Sequence, residues 1–298
     1  MKYFLIDHRD KERRKTDNMH LILQSLSPDS SAANAIATLS AASKITLISP
    51  TVWRCEDVIY SDDLKAQIDA ACHAAQLDYA FVPPTRKLSD FKLLAMDMDS
   101  TLINIECIDE IADMYGLKPQ VSEITEAAMR GELEFNESLL RRVALLKGLD
   151  ASALQRVYDE RLQLSPGAEK MLAAIQAAGI KTLLVSGGFT FFTDRIKARL
   201  SLDVTHANQL EIVDGKLTGK VIGGIVNADE KQRTVERVCA ELGITAQQTI
   251  VMGDGANDLK MMGIAGLSVA FRAKPVVRAQ ANLALNFVGL DGILPILA

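Results

Sequence analysis

The chain has 298 residues, 48% of them hydrophobic and 24% charged, enough for roughly two domains, each with its own core. A formal charge of −5 offers no electrostatic handle for nucleic acid or an anionic membrane, and no apolar run approaches the roughly 18 residues of a membrane span. The four cysteines (Cys55, Cys72, Cys107, Cys239) are scattered without a CxxC pair, zinc spacing or C-x5-R loop, as expected of reduced thiols in a cytoplasmic protein without cysteine-phosphatase chemistry. The first predicted element is a tail over 1–18, where DHRDKERRKTD has mixed charge and no apolar period; Met19 behind it is a second candidate start of translation. HLILQSL then predicts a strand, SSAANAIATLSAA a helix with a serine N-cap, and ITLIS and VWRCEDVIY two strands. SDDLKAQIDAACHAA predicts a helix with a serine cap and an acidic first turn, and LDYAFV a last strand. This β-α-β-β-α-β order is the ferredoxin-like split arrangement, so 19–85 is expected to form a small domain closed by the stiff linker Pro83-Pro84-Thr85-Arg86.

Beyond Leu88 the pattern changes. KLLAMD, KTLLVS and TIVMGD are short apolar runs, each ending in a polar residue at a turn. PGAEKMLAAIQAAG, FFTDRIKARL and ADEKQRTVERVCAELG separate them as helices. Strands alternating with helices imply a doubly wound parallel sheet buried on both faces, an α/β domain expected over 88–298. Between about 103 and 160 only helical patterns occur, directly after the first strand, which predicts a cap over the sheet's edge. Ligands of such sheets bind at the carboxyl ends of the strands, where Asp97, Ser186 and Asp254 fall.

The chemistry concentrates at those ends. Asp97 and Asp99 stand two apart in LLAMDMDSTL, and in an extended strand both would face the same side and repel, so a cation is expected beside them. Ser186-Gly187-Gly188 lets backbone amides and a hydroxyl approach an oxyanion, although alone it is an ordinary turn. Asp254-Gly255-Ala256-Asn257-Asp258 again sets acids at a helix start. Oxygen-only ligands from separate strands suit Mg²⁺, which takes one or two carboxylates plus phosphate oxygens and water. Lys231, near a helix start, is a candidate to neutralise phosphate charge.

DMDST, VSGG, a lysine and GDGAND, in this order, resemble the haloacid dehalogenase superfamily of aspartate-nucleophile phosphatases, and ECIDEIADMYG, EAAMRGELEFNESLLRRVALLKGL and HANQLEIVDGKLTG resemble its phosphoserine phosphatase family. The resemblance spans about Leu93 to the C-terminus; the N-terminal domain is similar to an ACT-type module and shows no ligand motif. The resemblance implies hydrolysis of O-phospho-L-serine, the last step of serine biosynthesis, by attack of Asp97 on phosphorus with Asp99 as acid and then base. It implies Mg²⁺ on the Asp97 carboxylate, the Asp99 carbonyl and Asp254, with Asp258 behind or through water. Ser186, Gly187 and Lys231 would hold the phosphoryl oxygens, supported by Asn257. In the cap, Glu106 stands where the family places the ammonium partner. Arg142, seven positions from Phe135 and so on the same helical face, would fork the substrate carboxylate, and Met129 and Phe135 would exclude water. A phosphotransferase that prefers an alcohol acceptor, or a regulatory module phosphorylated on aspartate, are the competing readings. Partners are expected to be phosphoserine alone, without nucleic acid or membrane, with a homodimer through the N-terminal domain as a further expectation.

Overall fold

The computed structural model describes residues 18–28 and 30–298, so the charged stretch 1–17 lies outside the described residues. It falls into two units, one running to Asp90 and including Leu283–Ala298, the other Phe91–Asn282. The first contains β1 (Asn18–Gln24), α1 (Ser30–Leu39), β2 (Lys44–Ser49), β3 (Val52–Ile59), α2 (Asp62–Ala74) and β4 (Asp78–Val82). The strands are antiparallel in the order β2-β3-β1-β4. Period-2 placement puts Leu21 and Leu23 of β1 opposite Cys55 and Trp53 of β3, and these pack with Ile36 of α1 and Ile68 and Cys72 of α2. Ser61 caps α2 by accepting from the Leu64 N–H, and Asp62 and Asp63 sit in its positive first turn.

The second unit begins with β5 (Leu93–Met96), followed by four helices, α3 (Cys107–Asp113), α4 (Lys118–Met129), α5 (Phe135–Leu145) and α6 (Ser152–Glu160). Then come α7 (Ala168–Ala177), β6 (Lys181–Phe189), α8 (Thr190–Leu200), β7 (Val204–Val213), β8 (Lys216–Ile222) and α9 (Ala228–Leu242). The unit closes with β9 (Thr249–Gly253), α10 (Leu259–Ile264), β10 (Leu267–Phe271) and α11 (Pro275–Arg278). The order β10-β9-β5-β6-β7 is parallel throughout, and β8 adds antiparallel to β7. β5, between β9 and β6, is buried at all its residues, which is why LLAM shows no alternation.

Strands β7, β8 and β10 escaped the sequence reading. β10 (LSVAF) is only five residues long, with Ser268 inside the run and Arg272 directly after it. The β7–β8 hairpin turns at Asp214 and Gly215, both at positive φ, the conformation that Asp-Gly favours in a two-residue turn. Backbone bonds between Leu217 and both Gly148 and Leu149 tie it to the cap.

The last segment groups with the first unit, although the sequence left it with the second domain. There β11 (Leu283–Leu285) pairs antiparallel with β4. The buried Asp78 carboxylate accepts from the N–H groups of Asn286 (2.7 Å), Phe287 (2.9 Å) and Val288 (2.8 Å), and the Gln24 side chain donates to the Gly292 carbonyl. Among the described residues no helix is long and apolar enough to cross a membrane.

Candidate active site

β5 stops at Met96 and the chain turns at once. Asp97 keeps an extended backbone, its N–H continues the ladder to the Met252 carbonyl, and its Oδ1 accepts from the Met98 N–H at 2.7 Å. Ser100, at φ +56°, bends the turn so that its N–H reaches the Ile105 carbonyl. The two aspartates therefore part company. Asp97 points at the carboxyl end of the sheet, whereas Asp99 Oδ2 accepts from the Cys107 N–H at 3.3 Å and its Oδ1 is buried with no hydrogen-bond partner among the described residues. Burial, then the charge of Glu106, pushes the Asp99 carboxyl up to about 8.

The cation expected beside Asp97 is Lys231. It is wholly buried on α9, with Nζ 2.7 Å from Asp97 Oδ2 and 2.7 Å from Asp258 Oδ1. Burial alone would lower its pKa, but the charges of Asp258 and Asp97 reverse that and raise it, so the ammonium persists. Asp258 is held by accepting from the Asp254 and Gly255 N–H groups at 3.1 and 3.0 Å, and Thr101 donates to Asp254 Oδ1 at 3.1 Å. Asp97, Asp254 and Asp258 bring carboxylate oxygens within 4.8 Å of one another. One ammonium faces three carboxylates, and the excess shows: burial and then Asp258 push Asp254 up to about 7 and also raise Asp97, against the opposing Lys231. Such an all-oxygen, under-neutralised set fits a hard divalent cation. The Asp99 side chain is not part of it.

Beside β5, the pairing of β6 with β7 breaks after Val185, and the buried Oγ of Ser186 accepts from the Gly188 N–H at 2.9 Å. Neither neighbour tolerates a side chain freely. A Cβ on Gly188 would fall 2.8 Å from Met98 Cε and 3.1 Å from Asp99 Oδ2, and one on Gly187 would fall 3.1 Å from Phe135 Cζ. The first residue of α5 thus reaches the Ser186–Gly188 turn. Half-buried Asn257 lies beside Gly255, where a Cβ would fall 2.2 Å from its Oδ1.

The cap separates two adjacent arginines. Arg141 is exposed and paired with Glu137 at 2.5 Å. Arg142 is half-buried, its Nε donates only weakly to the Ser138 carbonyl at 3.4 Å, and among the described residues it has no carboxylate within ion-pair distance. Burial lowers its pKa, opposed by Asp109 and Glu106. Glu106 accepts from Ser100 Oγ at 2.7 Å and likewise forms no ion pair. Met129 ends α4, and its side chain lies outside the described residues.

Residues 91–266 match the family model of haloacid dehalogenase-like hydrolases, and 21–68 match a domain of unknown function, DUF4072. A phosphoserine phosphatase of Polaromonas sp. is 57% identical, over 71% of this chain and 92% of that protein. The chain belongs to the haloacid dehalogenase-like hydrolase family. An unliganded probable phosphoserine phosphatase from Vibrio cholerae superposes with a TM-score of 0.79 at 36% identity, covering 96% of this chain and 90% of that one. A substrate-bound phosphoserine phosphatase complex matches with a TM-score of 0.66 at 38% identity, covering 70% and 99%.

Sequence reasoning missed three polar groups in this haloacid dehalogenase-like site. Thr101, inside the first motif, was passed over although it touches Asp254. Cys107 supplies the amide that Asp99 accepts, a backbone role no side chain announces. Asn208 of β7 donates to the Gly187 carbonyl at 2.7 Å and accepts from the Val226 N–H at 2.8 Å, and only the fold brings it near.

Proposed function

We propose that this chain hydrolyses O-phospho-L-serine to L-serine and phosphate through an aspartyl-phosphate on Asp97, the last step of serine biosynthesis. The observation that carries the reading is the buried Asp97–Lys231–Asp258 constellation at the sheet's carboxyl edge, under a cap that carries Glu106 and Arg142, neither in an ion pair among the described residues.

The residues divide the work. An Asp97 carboxylate oxygen attacks phosphorus as the bond to the seryl oxygen breaks, and Asp99 gives that oxygen its proton. A pKa near 8 keeps Asp99 protonated at neutral pH, as a general acid requires. Asp99, now ionised, takes a proton from the water that attacks phosphorus, and the bond to Asp97 breaks to release phosphate. Lys231 and the Ser186 hydroxyl hold the phosphoryl oxygens, with the Gly187–Gly188 backbone alongside and Asn257 in support. Mg²⁺ would be held by Asp97, Asp254 and the Asp99 carbonyl, with Asp258 directly or through water, and supplies positive charge to the phosphoryl group and the nucleophile. Glu106 receives the substrate ammonium and Arg142 its carboxylate, while Phe135 and Met129 exclude water.

Phosphate release with Mg²⁺ is measured across phosphoserine, phosphothreonine, phosphoethanolamine and a sugar phosphate. Removing the carboxyl or amino group should lower kcat/KM by roughly 10³-fold or more, because a buried charge is left unpaired. Equal rates across the panel would overturn the substrate assignment.

A further inference from the structure

We propose that Asn208 is a positioning residue that fixes the phosphoryl-binding turn and registers it against the lysine helix; this rests on the phosphatase reading above. The pairing of β6 with β7 runs from Leu183 to Val185 and then breaks, resuming only at Phe189 opposite Asn208. Ser186, Gly187 and Gly188 thus fall where no ladder bond holds them. Two of the three are glycines, the residues with the softest backbone, and a Cβ on Gly188 would collide with Met98 and crowd Asp99. Stiffness must therefore come from outside the segment.

Asn208 supplies it. Asn208 is 1% exposed and its carboxamide uses both ends, Nδ2 on the Gly187 carbonyl at 2.7 Å and Oδ1 on the Val226 N–H at 2.8 Å. The Gly187 carbonyl and the Gly188 N–H belong to one rigid peptide plane and point in opposite directions. Pinning the carbonyl therefore aims the N–H, which here meets Ser186 Oγ at 2.9 Å. The other bond holds Val226, next to Asn227, whose side chain caps α9 at the Glu230 N–H, one residue before Lys231. A single amide thus sets the serine hydroxyl, the glycine amide and the ammonium in common register, without touching substrate.

The test uses Asn208→Asp, which keeps the acceptor for Val226 but cannot donate to Gly187, and Asn208→Ala, which removes both bonds and covers the case where the buried carboxylate prevents folding. The control is Asp203→Asn, which weakens a tie at the opposite end of the same strands, where Asp203 accepts from Thr182. In the Asn208 variants kcat should fall roughly 10- to 100-fold while KM for phosphoserine shifts less than about threefold, as expected when groups used in the transition state lose their aim. Inhibition by orthovanadate, a mimic of five-coordinate phosphorus, should weaken by roughly the same factor, and inhibition by L-serine should not. Asp203→Asn should lower Tm yet leave kcat and vanadate inhibition as in wild type. Unchanged kcat and vanadate affinity in a folded Asn208 variant overturns the proposal, as does an equal loss in Asp203→Asn. Wild-type turnover is measured first. If wild type does not hydrolyse phosphoserine, the substrate reading fails, while the stabilisation of each variant by orthovanadate in a thermal shift still decides the role of Asn208.

Discussion

Replacing Lys231 with methionine isolates the electrostatics of the site, because the new side chain has similar volume and leaves little cavity. The ammonium is fully buried and holds Asp97 and Asp258, each at 2.7 Å. Hydrogen bonds to charged partners contribute about 1.5–3 kcal/mol each, and removing one partner of a buried ion pair costs about 3–5 kcal/mol. The larger figure applies while both carboxylates stay ionised; protonation relieves it. Lys231 opposes the rise that burial imposes on Asp97, so loss of the cation raises the Asp97 pKa further in the folded state. A raised folded pKa means that stability is present at low pH and is lost as pH rises through it. The destabilisation should therefore be about 3–5 kcal/mol at pH 8 without metal, and clearly smaller at pH 5. Urea unfolding of the metal-free protein at both pH values, with the slope unchanged between wild type and variant, reads it directly. Mg²⁺ should restore part of the stability, since three carboxylates remain to bind it, but not turnover, since the phosphoryl oxygens have lost their fixed cation. A loss below about 1 kcal/mol at pH 8, within the range of an exposed pair, would refute the reasoning.

Arg142→Ala should cost about 2–5 kcal/mol of phosphoserine binding, seen as a raised KM, whereas Arg141→Ala, which removes only an exposed pair with Glu137, should change KM less than about twofold. Gly188→Ala should reduce kcat roughly 100-fold, because its Cβ meets Met98 and Asp99 at the reacting centre; Gly187→Ala, opposed mainly by a Phe135 ring that can move, should cost less, and steady-state kinetics of the two would rank them. Asp78→Ala strands three backbone N–H groups, that of Val288 buried and those of Asn286 and Phe287 partly so, and should lower the stability of the first unit by about 3 kcal/mol in chemical denaturation without changing kcat. In EDTA the wild-type Tm should fall between about pH 4 and pH 8, because folded Asp254 and Asp99, raised to about 7 and 8, keep protons that the unfolded chain has released; Mg²⁺ should flatten the Asp254 part of that slope.

What could be read in the sequence and what could not divides by the range of the interaction. Asp97, Asp254 and Ser186 each end an apolar run, and strand followed by turn is a local pattern, so their shared edge followed from parallel topology. Choosing Arg142 over Arg141 needed only helical geometry measured from Phe135, and the two side chains do lie on different faces of α5. The Asp-Gly turn between β7 and β8 was equally local and was simply passed over. Asn208 is different. Its partners are a backbone carbonyl and a backbone amide in other elements, and an asparagine in a strand carries no mark of them. The C-terminal segment was illegible for the same reason: the bonds from Asp78 to Asn286 and its neighbours span more than two hundred positions, and LAL is too short to announce a strand.

The two acids of the first motif show how local and distant forces combine. Alternation in a strand would set Asp97 and Asp99 side by side, and their repulsion would count against such a sequence. The strand instead ends at Met96, and the left-handed Ser100 turns the chain so that the two carboxyls enter different surroundings. One faces the buried ammonium of Lys231; the other faces the anion Glu106 and a single backbone amide. Burial raises both carboxyls, but Lys231 opposes the rise at Asp97 whereas Glu106 adds to it at Asp99, so the surroundings of the two differ in the sense that one nucleophile and one acid require, and a divalent cation on Asp97 would complete the division. That division requires the turn and not merely the spacing. A chain with the same two aspartates in a continuing strand would hold two equivalent acids and could not run both halves of the reaction.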